Sequence, residues 1–94
     1  MADLASVRVV VYGYVQGVFF RAFASRQATK LGLSGYVRNL PTREAVEVQA
    51  EGERKQLKKL IGCLKMGPPT AKVGKVVTNW SKYSGSYSGF NIRY

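Results

Sequence analysis

The sequence predicts an α+β fold in which an antiparallel sheet carries two helices on one face. Three observations lead to this prediction: several short segments of β-branched or alternating residues, two stretches with helical apolar spacing, and glycine or proline at the end of each helical stretch. The chain has 94 residues, 46% of them hydrophobic, which is enough for one core. We therefore expect a single domain over residues 1–94.

The first strand and first helix are predicted from the N-terminal third. Val7–Tyr12 is β-branched and aromatic with one charge, which is typical of a strand. After two glycines, apolar residues recur on one helical face: Phe20, Phe23, Ala24, Ala28 and Leu31. Gly32 is expected to end this helix.

The remaining elements follow the same logic. Gly35–Asn39 predicts a short strand, and Val46–Glu51 alternates like a half-buried strand whose polar residues Glu47, Gln49 and Glu51 lie on a solvated face. A second helix is predicted from Leu57, Leu60, Ile61 and Leu64, and Gly67-Pro68-Pro69 ends it. Strands are expected in Ala71–Trp80 and Phe90–Tyr94, with a loop over Ser81–Gly89. The order βαββαβ, with a short terminal strand, is the split, ferredoxin-like sandwich.

Composition excludes several kinds of chemistry. The chain has no histidine and one cysteine, Cys63, so it can form neither a histidine-activated nucleophile, nor an intrachain disulfide, nor a thiol-rich metal site. None of the five acidic residues lies near the glycine-rich segment in sequence. We expect no metal and no cofactor.

The formal charge of +10 favours an anionic partner: a small phosphate ester or anhydride, a nucleic acid or an acidic protein. A basic surface that only aids solubility is the alternative. No apolar run approaches the ~20 residues of a membrane span, and the N-terminus lacks the layout of a secretory signal. We expect a soluble, cytoplasmic monomer with no membrane contact.

The segment between the first strand and first helix carries the candidate chemistry. Gly13 and Gly17 permit backbone conformations in which successive N–H groups converge on an anion. Arg21 lies in the first helical turn, where a cation opposes the helix dipole, and its guanidinium matches phosphate oxygens. Alternatively, the glycines only shape a tight turn and Arg21 is solvated.

Two motifs favour an anion-binding loop over a simple tight turn. Gly13–Arg21 resembles the acylphosphatase signature Gly-x-Val-Gln-Gly-Val-x-Phe-Arg, and Gly35–Asn39 resembles the family's Gly-aromatic-x-basic-Asn. The resemblance spans nearly the whole chain. It implies metal-independent hydrolysis of the carboxyl-phosphate bond of small acyl phosphates, in which Arg21 binds the phosphate and Asn39 orients the attacking water. The implied phosphate-binding loop, centred on Gln16–Arg21, comprises Tyr14, Val15, Gln16, Gly17, Val18, Phe19 and Phe20.

The chain departs from the family pattern after Asn39. Where the family has a short Asp-Gly or Asn-Gly hairpin, this sequence has Leu40–Ala45, which lacks glycine and is one residue longer. Because such a turn cannot easily use the positive-φ hairpin types, we expect a looser hairpin. Asn39 lies at the base of this hairpin, so the position of its side chain depends on the shape of the hairpin.

Two other functions stay open. RNA-recognition domains share the split βαβ arrangement, and Tyr83 and Tyr87 could stack bases, but the basic-Gly-aromatic-Gly-aromatic string is missing, so nucleic acid is not the expected partner. The second open function is that of an acylphosphatase-like interaction domain, catalytically weakened by the altered hairpin.

Overall fold

The structure is a computed structural model that describes residues 3–17, 19–42 and 44–94. Its elements, in chain order, are β1 (Leu4–Tyr14), α1 (Phe20–Lys30), β2 (Ser34–Asn39), β3 (Ala45–Glu53), α2 (Arg54–Met66), β4 (Lys72–Ser81) and β5 (Phe90–Arg93). The predicted α+β, ferredoxin-like fold is confirmed. Neither helix in the described ranges is long and apolar enough to cross a membrane.

The five strands form one sheet in the order β4-β1-β3-β2-β5. All neighbouring strands are antiparallel except β5, which pairs with β2 in parallel, from Gly35↔Phe90 to Arg38↔Arg93. The predicted antiparallel sheet therefore contains one parallel pair, at this edge. After β4, at one edge of the sheet, residues 82–89 cross the end of the sheet at which β4 finishes and reach the opposite edge. Strand β5 therefore runs in the direction opposite to β4, which is the direction of β2.

Both helices pack on one face of the sheet, as predicted. Helix α1 buries Phe20, Ala24 and Ala28 at four-residue spacing, and α2 buries Leu57, Leu60 and Leu64. The facing sheet residues are mostly valine, and they include Val7, Val9, Val11, Val37, Val46 and Val48. This apolar layer fixes the direction of α1, and so fixes where its first turn lies relative to the sheet.

The open face of the sheet buries two carboxylates that the strand pattern placed in solvent. Glu47 is only 4% exposed and Glu51 only 2%, so the predicted solvated face is wrong at both positions. Glu47 accepts hydrogen bonds from Arg8 Nε at 2.5 Å, Arg38 Nε at 2.6 Å and the Tyr36 hydroxyl at 3.1 Å. Burial alone would raise the pKa of Glu47, but these hydrogen bonds outweigh burial and hold the pKa below its ordinary value.

Glu51 anchors the segment that joins β4 to β5, residues 82–89. Ser84 donates its backbone N–H at 2.9 Å and its hydroxyl at 2.7 Å, and the Gly85 N–H donates at 2.9 Å. Tyr87 of the same segment packs against Tyr36, with ring centroids 6.0 Å apart. Burial again acts to raise the pKa of Glu51, and the hydrogen bonds lower it overall. The crossing segment is therefore fixed to a central strand of the sheet.

Removing the Glu51 carboxylate should loosen this crossing segment. In Glu51→Leu, three hydrogen bonds lose their acceptor, and we expect the free energy of unfolding to fall by about 1–3 kcal/mol. The matched control is Glu44→Leu at an exposed position, which should change stability by less than about 0.5 kcal/mol. Urea unfolding of the two variants measures both values, and equal losses would contradict the anchoring role.

Stability should fall on acidification. The folded pKa values of Glu47 and Glu51 lie below the ordinary 4.5, so the unfolded chain binds protons first as the pH drops. The stabilisation from both groups is complete above about pH 4.5 and is lost as the pH falls through the folded pKa values. Urea unfolding at a series of acidic pH values should show this decrease. Glu51→Gln, which cannot titrate at this position, should show a smaller one.

Candidate active site

One cavity, of about 290 Å³, opens at the end of the sheet where β2 and β5 finish. Its walls come from the β1–α1 loop, the first turn of α1, and the ends of β2 and β5. The lining residues are Val15, Gly17, Phe19, Phe20, Arg21, Ala22, Asn39, Ile92 and Tyr94. The structure thus brings together the two side chains to which the resemblance assigned catalysis, Arg21 and Asn39, although they are 18 positions apart in sequence.

Among the described residues of the loop that enters α1, Gly17 and Phe19 adopt a left-handed conformation. Gly17 has φ 72° and faces open space, so it adopts this conformation without steric cost. Phe19 has φ 62°, which in a residue with a side chain costs of the order of 1–3 kcal/mol. Phe19 is 79% exposed and lines the cavity. Strained residues of this kind concentrate at ligand sites, because the surrounding structure must hold them in place.

The start of α1 faces the same cavity. No described side chain caps this end of the helix, and its first turn contains no acidic residue. The first N–H groups of a helix have no partner within the helix, and they carry the positive end of its dipole. The cavity therefore has an electropositive backbone wall in addition to the guanidinium of Arg21.

The guanidinium of Arg21 is oriented by the C-terminal strand. Its Nη1 donates to the carbonyl oxygen of Arg93 at 3.2 Å, and its central carbon lies 4.7 Å from the centroid of the Tyr94 ring. A guanidinium has five N–H donors, so one contact with Arg93 leaves most of the fork able to bind oxygen atoms. These contacts fix the charge at the mouth of the cavity.

Asn39 presents an acceptor with no partner among the described residues. It is the last residue of β2 and pairs with Val46 of β3. Its side chain is on the helix side of the sheet, like that of buried Val37 two residues earlier. The Oδ1 atom is buried and accepts no hydrogen bond from the described residues. Buried polar atoms without a partner are rare, which makes this atom a candidate contact for a bound molecule.

The hairpin after Asn39 is held more firmly than its glycine-free sequence predicted. Within its described residues, the Leu40 N–H donates to the Ala45 carbonyl oxygen at 3.1 Å. The side-chain amide of Gln16 reaches across from the β1–α1 loop and donates to the carbonyl oxygens of Leu40 at 3.1 Å, Thr42 at 2.8 Å and Ala45 at 2.8 Å. The expected loosening is therefore offset by a side chain outside the hairpin.

Not every residue of the predicted loop lines the cavity. Val15, Gly17, Phe19 and Phe20 do so. Tyr14 is the last residue of β1 and is 63% exposed away from the cavity, and the Gln16 side chain faces the hairpin. Val18 lies outside the described residues.

Three lining residues were not singled out from the sequence: Ala22, Ile92 and Tyr94. Ile92 and Tyr94 reach the cavity because β5 lies beside β2, with Arg38 opposite Arg93, so that Tyr94 comes next to Asn39. Periodicity does not report which strand a terminal strand pairs with, so this neighbour could not be predicted. Among the described residues, no three histidine, cysteine or acidic side chains gather where they could hold a metal.

Comparison with known proteins agrees with this geometry. The sequence model of the acylphosphatase family matches residues 7–92. An acylphosphatase of Caldivirga maquilingensis is 48% identical over 94 residues, covering 100% of this chain and 99% of the relative. An acylphosphatase of Aeropyrum pernix is 45% identical over 92 residues, covering 98% and 91%.

The chain is also similar to a solved structure. The crystal structure of an acylphosphatase from Bacillus subtilis superposes with a TM-score of 0.90 at 34% identity, covering 96% of this chain and 99% of that one. The match to the family extends over both motifs and all but the terminal residues, and the matched structure shares the whole fold. The chain belongs to the acylphosphatase family.

Proposed function

We propose that this acylphosphatase hydrolyses the carboxyl-phosphate bond of a small acyl phosphate in the cavity between α1 and the ends of β2 and β5. Water attacks phosphorus, the bond from phosphorus to the carboxyl oxygen breaks, and a carboxylate and phosphate leave. One observation carries the proposal: Arg21 lines the same cavity at the start of α1 as Asn39, whose buried Oδ1 atom has no hydrogen-bond partner among the described residues.

In this proposal Arg21 and the loop backbone hold the phosphoryl group. The group carries negative charge throughout the reaction, and phosphoryl transfer is catalysed mainly by positioning and charge stabilisation. The guanidinium fork and the uncapped helix start would bind its oxygen atoms from two sides. The left-handed conformations of Gly17 and Phe19 turn the loop into this position.

Asn39 is proposed to orient the attacking water. Its Oδ1 can accept one hydrogen bond from the water, while the amide N–H groups can donate to a phosphoryl oxygen. Because the acceptor is already buried without a described partner, a water bound there regains a hydrogen bond that the folded protein otherwise lacks.

No histidine, metal or cofactor is needed for this reaction. A carboxylate is a good leaving group and departs without being protonated, so a positioned charge and an oriented water are sufficient. Assays that include EDTA test this independence directly.

The working unit is proposed to be the single domain 1–94, a monomer in the cytoplasm, with a small molecule and not a nucleic acid as its partner. The open face of the sheet supports the last point, because the carboxylates of Glu47 and Glu51 occupy its centre in ion pairs and hydrogen bonds, and the Tyr36 ring beside them already packs against Tyr87. Salt-dependent binding of single-stranded RNA would contradict it.

Loss of Arg21 should abolish most turnover. We expect Arg21→Ala to lower kcat/KM for benzoyl phosphate or acetyl phosphate by about 10³–10⁵, as for other arginines that stabilise a transferring phosphoryl group. The control is Arg26→Ala, which removes an exposed arginine later on the same helix. Near-wild-type turnover of Arg21→Ala, with EDTA present, would refute the proposed phosphate site.

Loss of Asn39 should affect turnover more than substrate binding. We expect Asn39→Ala to lower kcat by about 10²–10³, as for the loss of one oriented polar group, with little change in inhibition by inorganic phosphate. Asn79→Ala on the exposed strand β4 is the matched control. A large loss of phosphate inhibition with unchanged kcat would assign Asn39 to binding instead.

A further inference from the structure

We propose that Gln16 is a positioning residue for the reaction, which sets Asn39 against the phosphate loop by tying the 40–45 hairpin to that loop. The inference rests on the proposed function, because it assumes that Asn39 orients the attacking water. It assigns Gln16 a role different from the phosphate contact that its place in the loop predicts.

The contacts of the Gln16 amide determine its orientation. Its Nε2 lies 3.1, 2.8 and 2.8 Å from three backbone carbonyl oxygens, those of Leu40, Thr42 and Ala45. Carbonyl oxygens only accept hydrogen bonds, so only the NH₂ end of the amide can face them. Two N–H groups are thus shared among three acceptors, and this one side chain joins the β1–α1 loop to the hairpin.

The residues that Gln16 holds are the neighbours of Asn39. Leu40 follows Asn39 directly, and Ala45 precedes Val46, the residue that pairs with Asn39 across β2 and β3. Leu40 and Ala45 are also joined by their own backbone hydrogen bond of 3.1 Å. Gln16 therefore fixes both strands at the point where Asn39 enters the cavity.

The hairpin has a specific need for such a contact. It contains no glycine, so the tight turns that use positive φ are disfavoured, and its ends require another source of order. A second contact supports the same end of the sheet, since the Gly13 N–H donates to the Glu44 carbonyl oxygen at 2.8 Å. The hairpin is thus tied at two points to the strand and loop that lead into α1.

Gln16 lies between two residues that line the cavity, Val15 and Gly17, while its own side chain points away from it. A displacement of the hairpin would move Asn39 relative to Arg21 without removing any group from the phosphate end. Since a misplacement of about 1 Å can cost of the order of 10²-fold in rate, the three hydrogen bonds of Gln16 would act on kcat and leave phosphate binding unchanged.

The first test replaces the amide. Gln16→Met keeps the length of the side chain but has no donor, and Gln16→Glu keeps its shape but turns an acceptor towards the carbonyl oxygens. We expect kcat for benzoyl phosphate to fall by about 10–10²-fold in Gln16→Met and further in Gln16→Glu, with little change in KM or in the inhibition constant of inorganic phosphate. An unchanged kcat, or a phosphate inhibition constant that rises as much as kcat falls, would overturn the proposal.

The matched control is Gln49→Met. Gln49 is half-buried, like Gln16, and lies on the open face of the sheet. The substitution removes one hydrogen bond, which the Gln49 Nε2 donates to the Ser6 hydroxyl at 2.7 Å. It should leave kcat unchanged, and thermal unfolding of all variants verifies that each is folded at the assay temperature.

A double-mutant cycle separates positioning from general damage. If Gln16 acts through Asn39, Gln16→Met should lower kcat no further in an Asn39→Ala background, whereas a full additional loss would overturn the proposal. The Asn39 side-chain amide signals in ¹H–¹⁵N NMR spectra give a readout independent of activity. Gln16→Met should shift them, and unchanged signals would overturn the positioning role. Full activity of Asn39→Ala together with shifted signals would instead refute only the proposed role of Asn39.

Discussion

The common direction of three strands is the constraint on which the active-site end of the molecule depends. Strands β1, β2 and β5 run the same way, so their C-terminal ends meet at one end of the sheet. That end receives the loop that leads into α1, the side chain of Asn39 and the backbone of Arg93. Had β5 returned antiparallel to β2, the Arg93 carbonyl oxygen and Tyr94 would lie at the opposite end, away from Arg21.

The segment that leads into β5 is held in turn by a buried carboxylate. The chain must cross the far end of the sheet after β4, and Glu51 holds that crossing with hydrogen bonds from Ser84 and Gly85. A charged group in this position is tolerated because three donors satisfy it. Glu51, at one end of the sheet, thereby supports the cavity at the other end through β5, which runs between the two ends.

The site contains three features, each of which by itself lowers the stability of the folded protein. Phe19 adopts a left-handed conformation, Arg21 places positive charge at the positive end of a helix dipole, and Asn39 buries an acceptor without a described partner. A phosphate dianion with an associated water would relieve the last two. The core beneath α1, built on Phe20, Ala24 and Ala28, holds these groups in place before the ligand arrives.

The sequence by itself determined the helices and the family of the chain. Apolar spacing located both helices with their buried faces, glycine and proline located their ends, and the Gly13–Arg21 string indicated the family, because these signals are local in the chain. Only the tertiary structure decided which segments cover and join these elements. The alternation around Glu47 and Glu51 resembles a solvated face, yet Arg8 and the distant Ser84 bury both carboxylates. Likewise, Gln16 meets the hairpin 24 to 29 residues away. Contacts over such separations depend on strand order and direction, which periodicity does not encode.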